Sequence, residues 1–321
     1  MTAPGPPAQQ PPAAPQPAVL VGSDLDRTLI YSAAALALGM PDADAPRLLC
    51  VEVYRGKPLS YLTETAAALL ADLAARTVFV PCTTRTREQY HRISLPVPVP
   101  EYAICANGGH LLVRGETDHD WHRGVRRTLA ADCAPLPEIR DRMRSTAGSD
   151  WLLNARTAED LFCYLVLDRD RFPAEWATEL AAWAEPRGWR VSLQGRKLYA
   201  VPRPLTKSAA LAEVARRSGA GEILTAGDSL LDADLLLAAD HGWRPGHGEL
   251  AAVGWSAPHV TALPGQGVSC GEEVLRAMLR HAAGSSAPAA APPPPHASAA
   301  PHRPDPDAEP ASTGCRAAGG H

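Results

Sequence analysis

Residues 19–30 read Val-Leu-Val-Gly-Ser-Asp-Leu-Asp-Arg-Thr-Leu-Ile, a short apolar strand ending in two carboxylates one residue apart, with a hydroxyl just beyond. That order restricts the fold. A strand without polar alternation is buried on both faces, as in a parallel sheet covered by helices. Alternate side chains leave a strand on the same side, so Asp24 and Asp26 set out together. Two carboxylates held that close repel unless a cation or a shared proton intervenes. Acids at strand ends also cap helices, so this stretch alone leaves a catalytic site and a capped turn both open.

The rest of the chain repeats the plan. Residues 77–85 form a second apolar segment ending in Thr83, Thr84 and Arg85, residues 102–109 a third stopped by Asn107-Gly108-Gly109, and residues 222–229 a fourth ending in Asp228. Residues 48–54 read as a strand or hairpin edge. Between these lie stretches with helical spacing: a helical segment near 32–38, a helix over 60–75 with Leu62, Ala66, Leu69, Leu70 and Leu73 on one face, and others at 86–93, 206–218, 230–239 and 274–281. Strands alternating with helices predict an α/β fold with a doubly wound parallel sheet.

From Gly109 the texture changes. Residues 110–118 suggest a hairpin, 124–131 and 136–145 helices, 161–167 a strand, 173–183 a helix, and 189–193 and 197–201 two more strands. This pattern places an inserted α+β cap domain at 109–202 and divides the catalytic core between 18–108 and 203–282. Residues 1–17 and 283–321, rich in Pro and Ala, are expected to be a disordered leader and tail.

Composition narrows the function classes. The chain has 321 residues, enough for two domains, with 45% hydrophobic and 21% charged residues. A net charge of -4 gives no support to a nucleic-acid or membrane-surface role. No apolar run approaches the ~18–20 residues that span a bilayer, and the N-terminus lacks a charged segment followed by an apolar one. The cysteines are scattered without a C-x-x-C pair and mostly sit beside apolar residues, as reduced core thiols do. A cytoplasmic, soluble protein is expected.

In an open parallel sheet the ligand crevice lies outside the carboxyl ends of the strands. Asp24, Asp26, Thr83, Asp228 and Asp232, with Lys207 at the start of a helix, are therefore expected to converge. Hard oxygen ligands with a hydroxyl and an ammonium opposite suit Mg²⁺ and a phosphoryl group.

These segments resemble, in order and local context, the motifs of the haloacid dehalogenase-like phosphohydrolases. The subgroup it looks like carries a C2-type cap, similar to Cof-like and sucrose-phosphatase-like enzymes. Asp24-Leu25-Asp26-Arg27-Thr28 is similar to the nucleophile motif, Thr83-Thr84-Arg85 to the T-G-R motif, and Asn107-Gly108 to the N-G pair that opens the cap. Lys207-Ser208-Ala209-Ala210-Leu211 resembles K-x-x-A-L, and Gly227-Asp228-Ser229-Leu230-Leu231-Asp232 resembles G-D-S-x-N-D. The resemblance covers roughly 18–280. It implies that Asp24 attacks phosphorus, that Asp26 is acid and base, and that Thr83 or Thr84 holds phosphate with Lys207. It also implies a Mg²⁺ site of Asp24, Asp26, Asp228 and Asp232.

Three positions depart from the pattern. Arg27 stands where Gly is common and either touches substrate or points to solvent, Thr84 replaces Gly, and Leu231 replaces Asn. Asp234 could compensate for the last change, or be a helix-surface acid. Arg27, Arg85, Asn107, Arg156 and Lys197 are candidate substrate contacts, and Glu159 and Arg196 are further cap residues that could face the crevice. Asp118-His119-Asp120-Trp121-His122 reads as a solvated cap loop rather than a metal cluster, and His241 and His247 as structural loop residues. The function implied is a Mg²⁺-dependent phosphatase acting on a small phosphorylated metabolite, with sugar phosphates leading, through an aspartyl-phosphate. A phosphomutase of the same superfamily, or a catalytically weak stress-response or scaffold protein, are the alternatives.

Overall fold

The computed structural model describes residues 18–285; the expectations for residues 1–17 and for the tail from 286 onward lie outside the described residues. The chain opens with β1 (Val19–Ser23), then a single 3-10 turn at Ala33–Ala35 where a helical segment was expected. A hairpin follows, β2 (Leu48–Tyr54) and β3 (Lys57–Thr63), and then α1 (Glu64–Arg76). The helix expected over 60–75 therefore begins four residues late. Leu62 fits the helical spacing, but Ser60, Tyr61 and Leu62 pair with Glu52, Cys50 and Leu49 across the hairpin. Thr63 then caps α1, its side chain accepting from the Ala66 amide at 2.9 Å.

Next come β4 (Val78–Pro81), the one-turn α2 (Arg87–Tyr90), β5 (Tyr102–Cys105), β6 (His110–Val113) and β7 (Glu116–Thr117). The insertion continues with α3 (His119–Asp132), α4 (Leu136–Thr146), β8 (Leu152–Ala158), β9 (Phe162–Leu167), α5 (Ala174–Ala184), β10 (Trp189–Gln194) and β11 (Lys197–Pro202). The chain then returns through α6 (Lys207–Ser218), β12 (Glu222–Ala226), α7 (Ala233–Leu237), β13 (His241–Arg244), α8 (Glu249–Ala252), β14 (Val260–Ala262) and α9 (Val268–Ser285).

Five strands form a parallel sheet in the order β14-β13-β12-β1-β4. β5 continues it beyond β4 through a parallel bridge between Cys82 and Ile104, and carries β6 and β7 antiparallel on its far side. Leu111 of β6 is buried with Leu20, Val80 and Ile104, so this ribbon packs with the parallel sheet. On one face α1 and α9 pack together, burying Leu70, Leu73, Val274 and Met278.

A separate antiparallel sheet, β10-β11-β9-β8, forms the cap. Leu165, Leu167 and Leu198 turn to α4 and α5 and bury Ile139, Met143 and Leu180. The opposite face carries Asn154, Arg156, Tyr164, Lys197, Tyr199 and Ser192, by the strand register. β8 had no expectation in the sequence, because its polar residues lie on that second face and leave no apolar run. No disulfide joins the cysteines at 50, 82, 105, 133, 163 and 270, all of them free. No helix among the described residues is long and apolar enough to cross a membrane.

Candidate active site

The parallel register builds the site. Ser23 lies level with Ala226 on one neighbour and with Pro81 on the other, so β12, β1 and β4 end together. Asp24 is the next residue after Ser23, and its amide donates to the Ala226 carbonyl at 2.9 Å. Cys82 in turn donates to the Ser23 carbonyl at 2.7 Å, which sets Thr83 beside Asp24. Lys207 enters from α6, where Thr206 caps the helix by accepting from the Ala209 amide at 3.1 Å.

Asp24, Asp228 and Asp232 are buried, and one carboxylate oxygen of each lies within 4.8 Å of the others. Lys207 stands between two of them: its Nζ donates to Asp24 Oδ1 at 2.6 Å and to Asp232 Oδ1 at 2.5 Å, with the side chain 1% exposed. The other oxygen of Asp232 accepts from the Ser229 amide at 3.0 Å and the Ser229 hydroxyl at 2.6 Å. Asp232 is thereby fully engaged, holding Lys207 and the loop that carries Asp228. Thr28 donates to Asp24 Oδ2 at 3.1 Å.

Electrostatics follow from this packing. Burial pushes the Asp24 carboxyl up, and the charges of Asp232 and Asp26 add to that, against the opposing Lys207 ammonium. Asp228 is likewise raised by burial and by Asp24 and Asp232. Lys207 loses hydration by burial, yet its two carboxylates hold its pKa above the ordinary value. A cluster of hard oxygens that burial makes reluctant to ionise is a place where a divalent cation fits, because the cation supplies the missing positive charge.

Asp26 behaves differently. Arg85 grips it with two hydrogen bonds, Nε to Oδ2 at 2.7 Å and a terminal nitrogen to Oδ1 at 2.8 Å. The other arm of Arg85 reaches Glu52 at 2.7 Å, and Ser60 donates to the same Glu52 oxygen. Burial works to raise the Asp26 pKa, but the Arg85 guanidinium overrides it and holds the carboxyl below its ordinary value.

The structure brings Asp24, Asp26, Thr83, Lys207, Asp228 and Asp232 to one crevice. Thr83 is fully buried and its hydroxyl accepts from the Arg85 amide at 3.1 Å, while Thr84 beside it is half-buried. Arg27 adopts a positive φ of 65° and its Nε donates to Asp228 Oδ2 at 3.2 Å. His247 holds that turn, its Nε2 donating to the Arg27 carbonyl at 2.7 Å and its Nδ1 accepting from Gly267 at 3.2 Å. Lys197 lies on β11 close enough for its ammonium to help lower the Asp26 pKa. Arg156, on β8, is exposed.

Asn107 is placed elsewhere. It is fully buried with φ 56°, and its side-chain amide donates to the Leu205 carbonyl at 2.7 Å, tying the exit from the core to the return from the cap. His122 also does structural work: Asp118 caps α3, His122 meets the Gly109 carbonyl at 3.0 Å, and its ring stacks on buried His110, while His119 is exposed. The cap loop expected at 118–122 is thus the first turn of a helix. His110 pairs with Glu159 at the β8–β9 turn. His241 begins β13, at the end of the sheet away from the crevice.

Three contacts were not anticipated. Glu249 accepts from Ser192 Oγ at 2.7 Å and from the Leu193 amide at 3.0 Å in the cap, and from the Leu230 amide at 3.0 Å in the core. Asp234 pairs with Arg190 of β10 at 3.3 Å. Leu231, where an Asn was expected by resemblance, is fully buried in the apolar cluster of the cap. An acid of α8 carries no sequence signal of this role, since its partners, one hydroxyl and two backbone amides, are brought near only by folding.

No protein-family model matches the chain, and no curated protein does. Solved structures do match. A sucrose-phosphatase from Synechocystis sp. PCC6803, in complex with sucrose and phosphate, superposes with a TM-score of 0.57 at 12% identity, over 84% of this chain and 98% of that one. The Thermoplasma acidophilum 0175 structure superposes with a TM-score of 0.54 at 12% identity, over 84% and 99%. The chain has the capped haloacid dehalogenase-like fold. At this identity the likeness concerns the fold, and the chemistry rests on the residues just described.

Proposed function

We propose that the protein is a Mg²⁺-dependent phosphatase that hydrolyses a small phosphorylated metabolite, of the sugar-phosphate kind, through an aspartyl-phosphate on Asp24. The observation that carries this reading is the buried Lys207 ammonium bridging Asp24 and Asp232 beside Asp228. Three carboxylates and an ammonium converge there from three separate segments of chain, the ends of β1 and β12 and the start of α6. A structural salt bridge needs no such convergence on the open end of a sheet. The sucrose-phosphatase likeness agrees with the sugar-phosphate class.

Asp24, Asp228 and the Asp26 carbonyl would hold Mg²⁺, with Asp232 behind them. When bound, the ion neutralises phosphoryl oxygens and orients the phosphate. Asp24 then attacks phosphorus through a carboxylate oxygen, and the bond to the leaving oxygen breaks as Asp26 delivers a proton to it. In the second half Asp26 takes a proton from water, which attacks phosphorus and frees Asp24. Lys207 and Thr83 bind phosphoryl oxygens during both displacements. Arg85 fixes the direction of the Asp26 carboxylate and favours its ionised form, the one that takes a proton from water in the second half; in the first half Asp26 acts from its protonated fraction and leaves that step ionised. The cap sheet of β8–β11, with α4 and α5 behind it, would exclude bulk water and macromolecules from the crevice; the ribbon at 110–117, expected in the cap, packs instead with the parallel sheet.

The test is phosphate release from a panel of phosphorylated metabolites with Mg²⁺ or EDTA, for wild type and Asp24→Asn. Release that needs Mg²⁺ and disappears in the variant supports the reading; equal release from Asp24→Asn overturns it.

A further inference from the structure

The roof of the crevice carries positive charge, of which only Lys197 bears on the chemistry at phosphorus, through its field at Asp26. Two cross-strand rows of the cap sheet share the face turned to the core: Arg156, Tyr164, Tyr199 and Ser192, then Asn154, Val166, Lys197 and Gln194. The Ser192 bond to Glu249 fixes that orientation. These rows contain two cations and no carboxylate. At the edge of the same sheet, Arg169 and Arg196 line a cavity of about 520 Å³ whose floor includes Arg27, Asp228, Ser229 and Glu249.

Both acids of that floor are engaged. Asp228 pairs with Arg27, and Glu249 accepts from three donors. Arg156, Arg169, Arg196 and Lys197 form no ion pair among the described residues. Lys197 instead lies over the Tyr164 ring, 5.6 Å from its centroid, and Tyr164 and Tyr199 stand 5.2 Å apart as a wall beside it. A crevice roofed by unpaired cations strengthens every charge interaction as water leaves it. Neutral hydroxyls cannot offset that charge, whereas a carboxylate or phosphate can, and Arg meets either in a two-bond fork.

We propose that the alcohol released by this enzyme carries a second anionic group, a phosphate or a carboxylate, which Arg169, Arg196 and Lys197 hold beneath the cap. The inference rests on the phosphatase reading and adds the substrate class. Tyr164 and Tyr199 then flank the carbon skeleton between the two anions.

The experiment compares kcat/KM for glucose 6-phosphate with its carboxylate relative, 6-phosphogluconate, and its phosphate relative, glucose 1,6-bisphosphate. One or both of the compounds with a second anionic group should be preferred by about tenfold or more, and which one identifies that group. Arg169→Ala combined with Arg196→Ala should reduce that preference to about twofold or less, while the double Lys substitution, keeping the charge, retains most of it. Both arginines are exposed, so the double variant is expected to fold. A wild type that favours glucose 6-phosphate, or a preference untouched by the double Ala variant, overturns the inference. Phosphate release from p-nitrophenyl phosphate with no anion preference defeats this inference alone, whereas no release from any compound defeats the phosphatase reading as well.

Discussion

Glu249 is the contact through which the cap is fastened to the loop that carries Asp228, and its removal should be costly. Its carboxylate accepts from Ser192 Oγ, the Leu193 amide and the Leu230 amide at 2.7–3.0 Å. Hydrogen bonds to a charged group contribute roughly 1.5–3 kcal/mol each, so three give about 4–9 kcal/mol before costs. Against this stands the desolvation of the carboxylate, whose pKa burial raises despite the three donors. In Glu249→Ala, water can reach part of the vacated site, because the residue is only half-buried. The net loss expected is about 2–4 kcal/mol, which for a domain of this size lowers Tm by roughly 5–10 °C. Glu249→Gln keeps one acceptor but sets an NH₂ against at least one donor, and should cost about 1–2 kcal/mol. Urea denaturation followed by far-ultraviolet ellipticity measures both, and KM should rise in parallel as the cap loosens. If both variants stay within ~0.5 kcal/mol of wild type, the fastening role is wrong.

Three further outcomes follow from the site. Lys207→Met leaves two buried carboxylates without their cation, so phosphate release should fall roughly 100- to 1,000-fold and the metal-free protein should lose about 3–5 kcal/mol in denaturation; a change under about tenfold in rate would contradict its role. The Asp24 pKa is raised from 3.8 to about 7, so the native state binds more protons than the unfolded chain between those values and stability falls as pH rises through that window. Mg²⁺ binds the ionised form, so millimolar Mg²⁺ should raise Tm more at about pH 7.5 than at about pH 5 in a thermal-shift assay, and equal gains would refute the metal site. Gly248 has φ 91°, and a Cβ there would lie 2.5 Å from the Asp228 carbonyl and 2.6 Å from its Oδ2. Gly248→Ala should therefore displace Asp228 and weaken the Mg²⁺ dependence of activity several-fold, at a cost of roughly 2–3 kcal/mol; an unchanged Mg²⁺ titration would count against that placement.

The catalytic core was legible because its signals are local. Asp24, Thr83 and Asp228 each end an apolar strand, and a parallel sheet turns that position in sequence into a position in space. Lys207 was legible in the first turn of the helix expected at 206–218, and the structure makes Thr206 the cap of that helix. Less could be read where a signal served two structures. Leu62 satisfies a helical stripe and a hairpin equally, and only the pairing of Ser60 and Tyr61 across β2 decides for the strand. β8 was hidden because a sheet that faces a crevice carries polar residues where a buried sheet carries apolar ones. Arg85 shows the limit most clearly: its place after Thr83 pointed to substrate, but the hairpin brings Glu52 and Ser60 behind it, and its guanidinium is spent on Asp26. Arg27 is likewise committed to Asp228. Such pairings between segments far apart in the chain leave no mark on spacing or composition.

The most direct test of the account is to trap the intermediate. Wild-type protein with Mg²⁺ and its best substrate, quenched in acid during turnover and reduced with borohydride, should yield homoserine at position 24 in peptide mass spectrometry, because an acyl phosphate is reduced where a free carboxylate is not. Omitting the substrate should abolish that product. Reduction at any other residue, or steady phosphate release with Asp24 never modified, would contradict the assignment of Asp24 as the nucleophile.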